Sequence, residues 1–396
     1  MSKLRHLDLE DVINRSGASL SREWGLGVRL DQVRLLSKPD RRNLVVRAVA
    51  HDENGASRQV IVKATRASDY EPASDEALQA SGLVREWVAT ALISTSSPNG
   101  EHGAALLAGD VTGGILVFED LGDGLSSLVE PLLKGSAIEA ETALISYAIA
   151  LARLHADTVG CVESYRATYQ SIFGLGRKGR PLGRRVEPQA NIVAKAIGHE
   201  PPASELELLS MKLCNPGPWQ SLVHGDPCPD NVLLCNGRAR LIDYEWAEPS
   251  HALLDGAYWL MGFPTCWCAG RMPAAVRARV EAAYRRELAR SIPLALDETV
   301  YRTELAYISA VWLFTCLAWR LDEALEGDGE WGIASIRGRL LRYLDTAIGI
   351  TEEADVLPGT RKAARSWLAE LSYRWPDATP LSFYPAFAST TSAPAD

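Results

Sequence analysis

The sequence lacks an apolar run long enough to cross a membrane. Its longest apolar run, Leu305–Trp319, has fifteen residues and lies between Glu304 and Arg320, whereas a transmembrane helix needs about 18 or more. The first thirteen residues contain no apolar core of the kind found in signal peptides. We therefore expect a buried helix at Leu305–Trp319 and a cytoplasmic protein that has no membrane partner.

The sequence also has few cysteines, and fewer basic than acidic residues. The seven cysteines are odd in number and scattered along the chain, so they do not predict a disulfide framework. The 41 Lys and Arg residues are outnumbered by 50 Asp and Glu residues, which gives a net charge of −9. Because proteins that bind nucleic acids usually carry a basic surface, we expect no nucleic-acid partner.

The remaining composition is that of an ordinary globular protein. Hydrophobic residues make up 47% and charged residues 23% of the 396 positions, so the chain can bury a large core. Since a domain typically holds about 100–200 residues, this length predicts two domains or one unit with two lobes.

The first part of the chain is predicted to be rich in strands. Asn43–Ala50 and Gln59–Ala64 contain many Val and Ile residues, and the Asn-Gly pair between them is typical of a hairpin turn. Ile115–Phe118 is a short apolar run that predicts a further strand. Helices are expected at residues 8–20 and, more clearly, at Leu83–Ile93.

The rest of the chain is predicted to be mainly helical. Glu139–Asp157 is strongly amphipathic, and the region from residue 255 to about residue 350 has a helical pattern. Leu222–Ile242 predicts strands that include an Asn-Gly hairpin turn. Residues 161–218 contain many Gly, Pro and Arg, so we expect irregular structure there. Residues 376–396 have the composition of a loose tail, although Phe383, Tyr384 and Phe387 could dock on the protein.

The segment from residue 221 to residue 247 has the clearest chemical meaning. His224-Gly225-Asp226 is followed by Asn231, and Asp243 comes after an apolar strand. Phosphoryl transfer needs a carboxylate that orients a hydroxyl and accepts its proton, which Asp226 can supply. It also needs Mg²⁺, whose oxygen ligands Asn231 and Asp243 can provide. The alternative interpretation is a turn in which Asp226 and Asn231 cap helices.

This pattern resembles the catalytic loop and the metal-binding Asp of the aminoglycoside phosphotransferase and choline kinase group. The HGD-x4-N motif is present as His224, Gly225, Asp226 and Asn231, and the ID-x-E segment includes Asp243. The resemblance implies an α+β, two-lobed fold of the protein-kinase type, with a small β-rich lobe and a large, mainly helical lobe. It also implies ATP or GTP as co-substrate and Mg²⁺ bound by Asn231 and Asp243. Asp226 would be the catalytic base, and His224 would shape the catalytic loop.

The resemblance further implies a pair of residues that grips the nucleotide. Lys63 lies in the apolar strand QVIVKA, and Glu86 lies in the first clear helix after it. Lys63, held by Glu86, matches the family's cation for the α- and β-phosphates; a lone Lys in a strand is otherwise a solvated edge residue. No G-x-G-x-x-G loop precedes Lys63, and Ser37 and Asn43 of the equivalent turn, SKPDRRN, are the candidate phosphate contacts.

The run ILVFEDLG resembles the family's hinge between the lobes. Glu119, Asp120 and Leu121 would then present backbone N–H and C=O groups to a purine, although a strand followed by a turn fits the same letters. The resemblance divides the chain into a nucleotide-binding lobe, a hinge and a catalytic and substrate-binding lobe, at residues 1–118, 119–123 and 124–396.

Asp255 and His155 are expected to support the catalytic loop. Asp255 matches the family's Asp at the start of the next helix, where it would accept backbone hydrogen bonds from the loop; a plain helix cap fits equally well. His155, in the helical segment LARLHA, is expected to be a structural residue below the loop.

Three cysteines lie near these motifs. Cys228 stands beside the candidate base without a second residue to activate it, so we interpret it as a bystander. Cys266 and Cys268, which are separated by one residue, could bind a metal. No second pair with zinc-like spacing follows, so two reduced thiols are the favoured interpretation.

The expected acceptor is a hydroxyl of a small molecule, with an antibiotic as one candidate and resistance or self-protection as the matching role. Residues 174–185 carry five basic residues and residues 321–331 carry five acidic residues. Either stretch could face a substrate, although two solvated loops fit as well. The alternatives are a kinase of a peptide Ser or Thr, a kinase of a primary metabolite, and a pseudokinase without activity.

Overall fold

The computed structural model describes residues 4–68, 70–71, 82–96, 102–174 and 186–390. The chain divides into two units, each built from separate stretches of sequence. The first comprises Met1–Leu125, Val162–Gly179 and Arg240–Glu248, and the second comprises Ser126–Cys161, Arg180–Ala239 and Pro249–Asp396. The hinge expected at residues 119–123, and with it the division at 118 and 124, stays a prediction.

The described residues contain strands and helices that we number along the chain. The strands are β1 (Val28–Leu35), β2 (Asn43–Asp52), β3 (Ser57–Thr65), β4 (Leu106–Asp110), β5 (Ile115–Glu119), β6 (Gln220–Val223), β7 (Val232–Cys235), β8 (Arg238–Leu241), β9 (Glu248–His251), β10 (Glu330–Trp331) and β11 (Ala334–Ser335). The helices are α1 (Leu9–Trp24), α2 (Gly82–Ser96), α3 (Val129–Lys134), α4 (Ala137–Asp157), α5 (Val162–Phe173), α6 (Val186–Ile197), α7 (Ala203–Cys214), α8 (Leu253–Leu260), α9 (Ala274–Leu288), α10 (Glu298–Glu326), α11 (Ile336–Glu353) and α12 (Pro358–Arg374).

A five-stranded antiparallel sheet with the order β1-β2-β3-β5-β4 lies at the centre of the first unit. Strands β2, β3 and β5 confirm the strands predicted from sequence. The sequence pattern misses β1 and β4, which are the two edge strands. The side chains of β1, VRLDQVRL, are mostly exposed, so its sequence has no continuous apolar face for the pattern to detect.

Helix α1 packs on the sheet and closes its core. Asp8 caps the helix by accepting a hydrogen bond from the backbone N–H of Glu10 at 3.1 Å. Val12, Ile13 and Leu20 point inward from the helix. They join every second residue of the central strands, namely Leu44, Val46, Ala48, Ala50, Val60, Val62, Ala64, Ile115 and Val117, as the period of two in a strand requires.

The irregular structure expected at residues 161–218 is wrong, because helices α5, α6 and α7 lie there. Helical spacing is present in the sequence: Tyr165 and Tyr169 are one turn apart and both are buried in α5. The Gly, Pro and Arg residues that suggested a loop are concentrated between the helices. In the first unit α5 packs on α2, where the rings of Trp87 and Phe173 meet edge to face at 5.5 Å.

Helices dominate the second unit. Helix α4 begins with a capping box between Ser136 and Glu139 and packs along α9. Helix α10 has the length and the apolar composition that would let it cross a membrane. However, 67% of its most apolar 18-residue segment is buried inside the protein. The buried helix expected at Leu305–Trp319 is therefore confirmed, since this stretch lies inside α10.

The loose tail expected at residues 376–396 is wrong as far as residue 390, where the described residues end, and the alternative in which aromatic residues of this segment dock is confirmed. Tyr384 and Phe387 are fully buried, and the backbone of Arg271 pairs with that of Phe383. With its five-stranded antiparallel sheet in one unit and most of its helices in the other, the chain has the α+β fold class that the sequence predicts.

Candidate active site

In the first unit, Lys63 lies at the centre of a cluster of carboxylates. Its side chain leaves strand β3, where Lys63 is opposite Leu116 of β5, and only 7% of the residue is exposed. The Nζ atom is 2.6 Å from an oxygen of Glu86, 2.5 Å from Asp243 and 2.8 Å from Glu245. The structure thus forms the Lys63–Glu86 ion pair and brings Asp243 to the same ammonium group.

The charges in this cluster do not balance. Burial acts to lower the pKa of Lys63, but the charges of Glu86, Asp243 and Glu245 together raise it well above its usual value, so the ammonium form is favoured. Burial raises the pKa of Glu86 to about 8, against the opposing effect of Lys63. One ammonium group therefore faces three carboxyl groups that compete for it.

The surplus of negative charge fits a divalent cation. Oxygen atoms of Glu86, Asp243 and Glu245 lie within 4.8 Å of one another, and carboxylate oxygens are the ligands that Mg²⁺ takes in proteins. Asp243 is the most accessible of the three, with 41% of its side chain exposed. The donor set present in the first unit therefore suits the hard cation that the sequence predicts.

Local backbone geometry turns Asp243 into this cluster. Strand β8 ends at Leu241, and Asp243 has a φ of 68°, a left-handed conformation that Asp adopts more readily than most residues but at some cost. Gly82, at the start of α2, allows Glu245 to approach, because a Cβ atom at that position would lie 3.1 Å from the Cβ atom of Glu245.

Glu245 joins the cluster although the sequence predicts no role for it. The ID-x-E segment contains it, and this motif was the available signal. Its carboxylate pairs with Lys63 and also accepts a hydrogen bond from the side-chain amide of Asn43. Asn43, a candidate phosphate contact, is thus tied to the same cluster.

The other candidate nucleotide residues of the first unit are held by local contacts. The hydroxyl oxygen of Ser37 accepts a hydrogen bond from the backbone N–H of Val45 at 2.9 Å. Asp120 accepts one from Arg47 at 2.8 Å and another from the backbone of Gly122 at 3.0 Å. These bonds fix the turn before β2 and the segment after β5.

The backbone around the end of β5, at Glu119–Leu121, is partly engaged in hydrogen bonds. Glu119 donates its backbone N–H to the carbonyl of Ala105 at 2.8 Å, as the end of a strand in the sheet would. Leu121 follows two residues later, just outside β5. The structure thus places Glu119 in the sheet and Asp120 and Leu121 beyond it.

In the second unit, the loop that carries His224 and Asp226 is anchored on Asp255. The backbone N–H groups of His224 and Gly225 donate hydrogen bonds to the two carboxylate oxygens of Asp255, at 2.6 and 3.1 Å. Gly225 has a φ of 80°, which glycine adopts without strain. The role expected for Asp255 is confirmed by these bonds, while the cap position of α8 belongs to Ala252.

A buried network holds Asp255 in turn. His155, fully buried in α4, lies 3.0 Å from the Asp255 carboxylate through Nε2 and 2.9 Å from the hydroxyl of Tyr284 through Nδ1. The structural role expected for His155 is confirmed. Because each of these buried polar groups has its partner, the network can keep the loop in one conformation.

Asp226 and Asn231 are organised by the loop itself. The side-chain amide nitrogen of Asn231 donates to the carbonyl of Asp226 at 3.0 Å, which orients the amide. The amide oxygen is the atom that a hard cation would take. Tyr147 donates its hydroxyl to the carbonyl of Pro227 at 3.1 Å. The thiol of Cys228 donates to the Asp226 carboxylate at 3.1 Å, so Cys228 contacts the candidate base directly.

The predicted site residues therefore fall into two groups. Ser37, Asn43, Lys63, Glu86, Glu119, Asp120, Leu121 and Asp243 belong to the first unit, and His224, Asp226 and Asn231 belong to the second.

The two charged stretches have different outcomes. Residues 175–185 of the basic stretch lie outside the described residues. The acidic stretch is not a loop throughout, because residues 321–326 form the last turns of α10. Its acidic side chains, Asp322, Glu323, Glu326, Asp328 and Glu330, are solvent-exposed.

Comparison with known proteins gives matches in structure but not in sequence. No family model matches the chain, and no curated protein matches it. Among solved structures, the chain is similar to choline kinase LicA from Streptococcus pneumoniae, with 16% identity over 86% of this chain and 99% of that one and a TM-score of 0.42.

Two further structures are similar over most of their length. Amicoumacin kinase hAmiN, in complex with AMP-PNP, Ca²⁺ and Ami, has 13% identity over 88% of this chain and 94% of that chain, with a TM-score of 0.49. The streptomycin-ATP-APH(2")-IIa ternary complex has 13% identity over 80% and 94% of the two chains, with a TM-score of 0.46. Choline kinases and aminoglycoside phosphotransferases are the group that the sequence motifs resemble.

Proposed function

We propose that the protein is a phosphotransferase that moves the γ-phosphate of ATP or GTP to a hydroxyl group of a small molecule. The observation that carries this proposal is the cluster in which Lys63, paired with Glu86 at 2.6 Å, lies 2.5 Å from Asp243. A buried cation on a strand, a helix carboxylate that holds it and a metal-binding carboxylate beside it are the parts that phosphoryl transfer requires.

In this proposal the first unit binds the nucleotide. Lys63 contacts the α- and β-phosphates, Glu86 holds Lys63, and the turn with Ser37 and Asn43 lies against the phosphates. The purine is bound by the backbone of Glu119, Asp120 and Leu121. Since the N–H of Glu119 already bonds to Ala105, the N–H of Leu121 is the donor that we assign to the purine.

Asp243 and Asn231 supply oxygen ligands to Mg²⁺ in the proposed site. The carboxylates around Lys63 and the amide of Asn231 are the chemistry that this hard cation prefers. When bound, Mg²⁺ neutralises negative charge on the phosphate oxygens. Glu245, which shares Lys63 with Asp243, holds the ammonium group in place when Asp243 turns towards the cation.

Asp226 is the proposed catalytic base. Its carboxylate accepts the proton of the substrate hydroxyl while the hydroxyl oxygen forms a bond to the γ-phosphorus. The bond from that phosphorus to the β–γ bridging oxygen breaks, and the nucleoside diphosphate leaves. His224 contributes through its backbone bond to Asp255, which sets the position of the loop.

An antibiotic with hydroxyl groups is the acceptor that we test first, and choline-like amino alcohols are the second.

A reducing cytoplasm, where ATP and GTP are available, fits a chain whose seven cysteines are all thiols.

The experiment is mass spectrometry of a panel incubated with the protein, Mg²⁺ and ATP or GTP. The panel contains aminoglycosides, nucleoside and peptide antibiotics, macrolides, choline-like amines and sugars. We expect one compound to gain a phosphate with the wild type, and Asp226→Asn to lower that rate by about 100-fold to 10,000-fold, the usual contribution of a general base.

Nucleotide binding by Asp226→Asn serves as the control, since Asp226 is not assigned to the nucleotide. Unchanged turnover in Asp226→Asn would contradict the assignment of the base. Nucleotide binding without phosphorylation of any compound would move support to a peptide kinase or a pseudokinase.

A further inference from the structure

Three thiols and a carboxylate from distant parts of the chain converge in the second unit. Cys228 and Asp230 lie on the loop that follows β6, whereas Cys266 and Cys268 lie on the turn after α8. The Sγ atoms of Cys266 and Cys268 are 3.3 Å apart, and the Sγ atom of Cys266 is 3.8 Å from the Asp230 carboxylate. Ligand atoms of Cys228, Asp230 and Cys266 all lie within 4.8 Å of one another.

The Cys266–Cys268 and Cys266–Asp230 separations are close to the spacing of ligands around a tetrahedral metal ion, and Cys268 is placed by its contact with Cys266. With a Zn–S distance of about 2.3 Å, two thiolates on one tetrahedral ion are about 3.8 Å apart. All three cysteines are buried, and Asp230 is exposed at the edge of the cluster, which gives an ion a route from solvent.

Neighbouring groups hold the ligands in position. The guanidinium of Arg339, itself buried, donates to the carbonyls of Cys266 and Trp267 at 2.7 and 2.9 Å. The indole N–H of Trp267 donates to one oxygen of Asp230 at 3.0 Å, and the other oxygen faces Cys266. Outer contacts of this kind fix the orientation of metal ligands.

We propose that Cys228, Cys266, Cys268 and Asp230 form a binding site for a soft divalent cation, with Zn²⁺ as the fitting ion. Thiolates favour Zn²⁺ over the hard Mg²⁺ of the proposed phosphotransfer site, so this site is a separate one. The sequence pattern alone favours two reduced thiols, because Cys228 and Asp230 come to the Cys-x-Cys turn only through the fold.

The site connects to the loop that carries Asp226. In the structure, the Cys228 thiol donates to the Asp226 carboxylate at 3.1 Å and lies 2.8 Å from the hydroxyl of Tyr258. A metal ion takes the thiolate form, and the thiol proton is released on binding. Binding therefore removes a hydrogen-bond donor from Asp226 and ties its loop to the turn after α8.

The test is metal titration of the full chain after treatment with a chelator under reducing conditions. Co²⁺ serves as the coloured probe, because a cobalt–thiolate bond gives a charge-transfer absorption band, and Zn²⁺ is measured by displacement of that band. We expect about one ion per chain. Cys266→Ser should lose at least about tenfold in affinity, because even outer contacts of a metal ligand contribute about 10–100-fold.

Cys214→Ser is the matched control, since Cys214 is an exposed cysteine outside the cluster, and it should titrate as the wild type does. Absence of the thiolate band in the wild type, or an unchanged titration in Cys266→Ser, would overturn the proposal.

Two further measurements test the proposal even if Cys266→Ser does not fold. Asp230→Asn changes an exposed residue and should also weaken binding. In the wild type, Zn²⁺ should slow alkylation of Cys228, Cys266 and Cys268 at least tenfold while Cys214 reacts at an unchanged rate. Equal rates with and without Zn²⁺, or recovery of two of these cysteines as a disulfide in its presence, would contradict a metal site. None of these readouts depends on kinase activity.

Discussion

Lys63 shows how one buried charge can organise a site. Its ammonium group is shared by Glu86, Asp243 and Glu245 at 2.5–2.8 Å. With all three carboxylates ionised, the cluster carries two surplus negative charges, which are costly to bury without a further cation. The raised pKa of Glu86, about 8 through burial, reflects the same imbalance. A divalent cation would supply the two missing positive charges.

Removing the accessible carboxylate of this cluster tests that balance. We expect Asp243→Asn to weaken Mg²⁺-dependent binding of an ATP analogue by about 10-fold to 100-fold, because the cation loses a charged ligand. Calorimetry with and without Mg²⁺ measures this difference. Asp31→Asn, which removes a carboxylate of the edge strand β1, is the control and should leave binding unchanged. Equal Mg²⁺ dependence in wild type and Asp243→Asn would contradict the assignment.

Helix α8 acts on the catalytic loop as an element, through Asp255. Its carboxylate accepts the N–H groups of His224 and Gly225 and contacts His155, all within the second unit. Since these groups are buried, a lost acceptor leaves a donor without a partner, which costs about 1–3 kcal/mol. Asp255 is therefore a positioning residue for the loop.

We expect Asp255→Asn to lower the free energy of unfolding by about 1–3 kcal/mol and to lower kcat, with little change in KM for the nucleotide. Urea unfolding and steady-state kinetics measure the two effects. Asp297→Ala is the matched control: Asp297 caps α10 through the N–H of Val300 at 3.0 Å, so loss of the cap costs about 1 kcal/mol without changing kcat. If both variants change kcat equally, Asp255 has no positioning role.

Elements with a strong local signal were the ones that the sequence could predict. The alternation in β2 and β3 predicts the central strands, and the fixed spacing of His224, Asp226 and Asn231 predicts the loop. Strand β1 is not predicted, because an edge strand with exposed side chains needs no alternation of apolar residues. Helix α6 is not predicted, because Gly and Pro residues on either side of it dominate the composition of the region.

Contacts between distant segments could not be predicted from local pattern. Glu245 reaches Lys63 because β8 ends where Asp243 turns into a left-handed conformation. The approach of Cys228 to Cys266 likewise depends on where α8 ends. Such pairs require the folded chain, since no spacing rule in the sequence encodes them.

Across the whole molecule, the buried histidine His251 links stability to pH. Its Nδ1 atom accepts the backbone N–H of Leu253 at 3.2 Å, and its Nε2 atom lies 3.2 Å from Glu304. Because Nδ1 accepts a hydrogen bond, a second proton can bind only by breaking that bond. Burial lowers the pKa of His251, an effect that Lys212 adds to and Glu304 opposes. The neutral ring is therefore part of the native structure.

The direction of the pH effect follows from that lowered pKa. In the unfolded chain His251 binds a proton below about pH 6.5, whereas in the folded chain it resists protonation. Its contribution to stability is thus present above pH 6.5 and is lost as the pH falls below it, with a slope of up to about 1.4 kcal/mol per pH unit. Glu86, whose pKa is raised to about 8, acts in the opposite sense, because its contribution is lost as the pH rises from about 4.5 to 8.

A comparison of variants isolates the histidine, since the effect of Glu86 is common to all of them and cancels in the difference. Urea unfolding between pH 5 and pH 8 should show a smaller loss of stability on acidification in His251→Gln than in the wild type, because the variant has no ring to protonate. His6→Gln changes an exposed histidine and should keep the wild-type slope. If His251→Gln and the wild type lose stability in parallel, the neutral state of His251 does not limit folding at low pH. The carboxylate of Glu304 would not explain such a decline between pH 5 and pH 8. That carboxylate has a pKa lowered by its bonds to His251 and Lys212 against the effect of burial, so its contribution would be lost only at a more acidic pH.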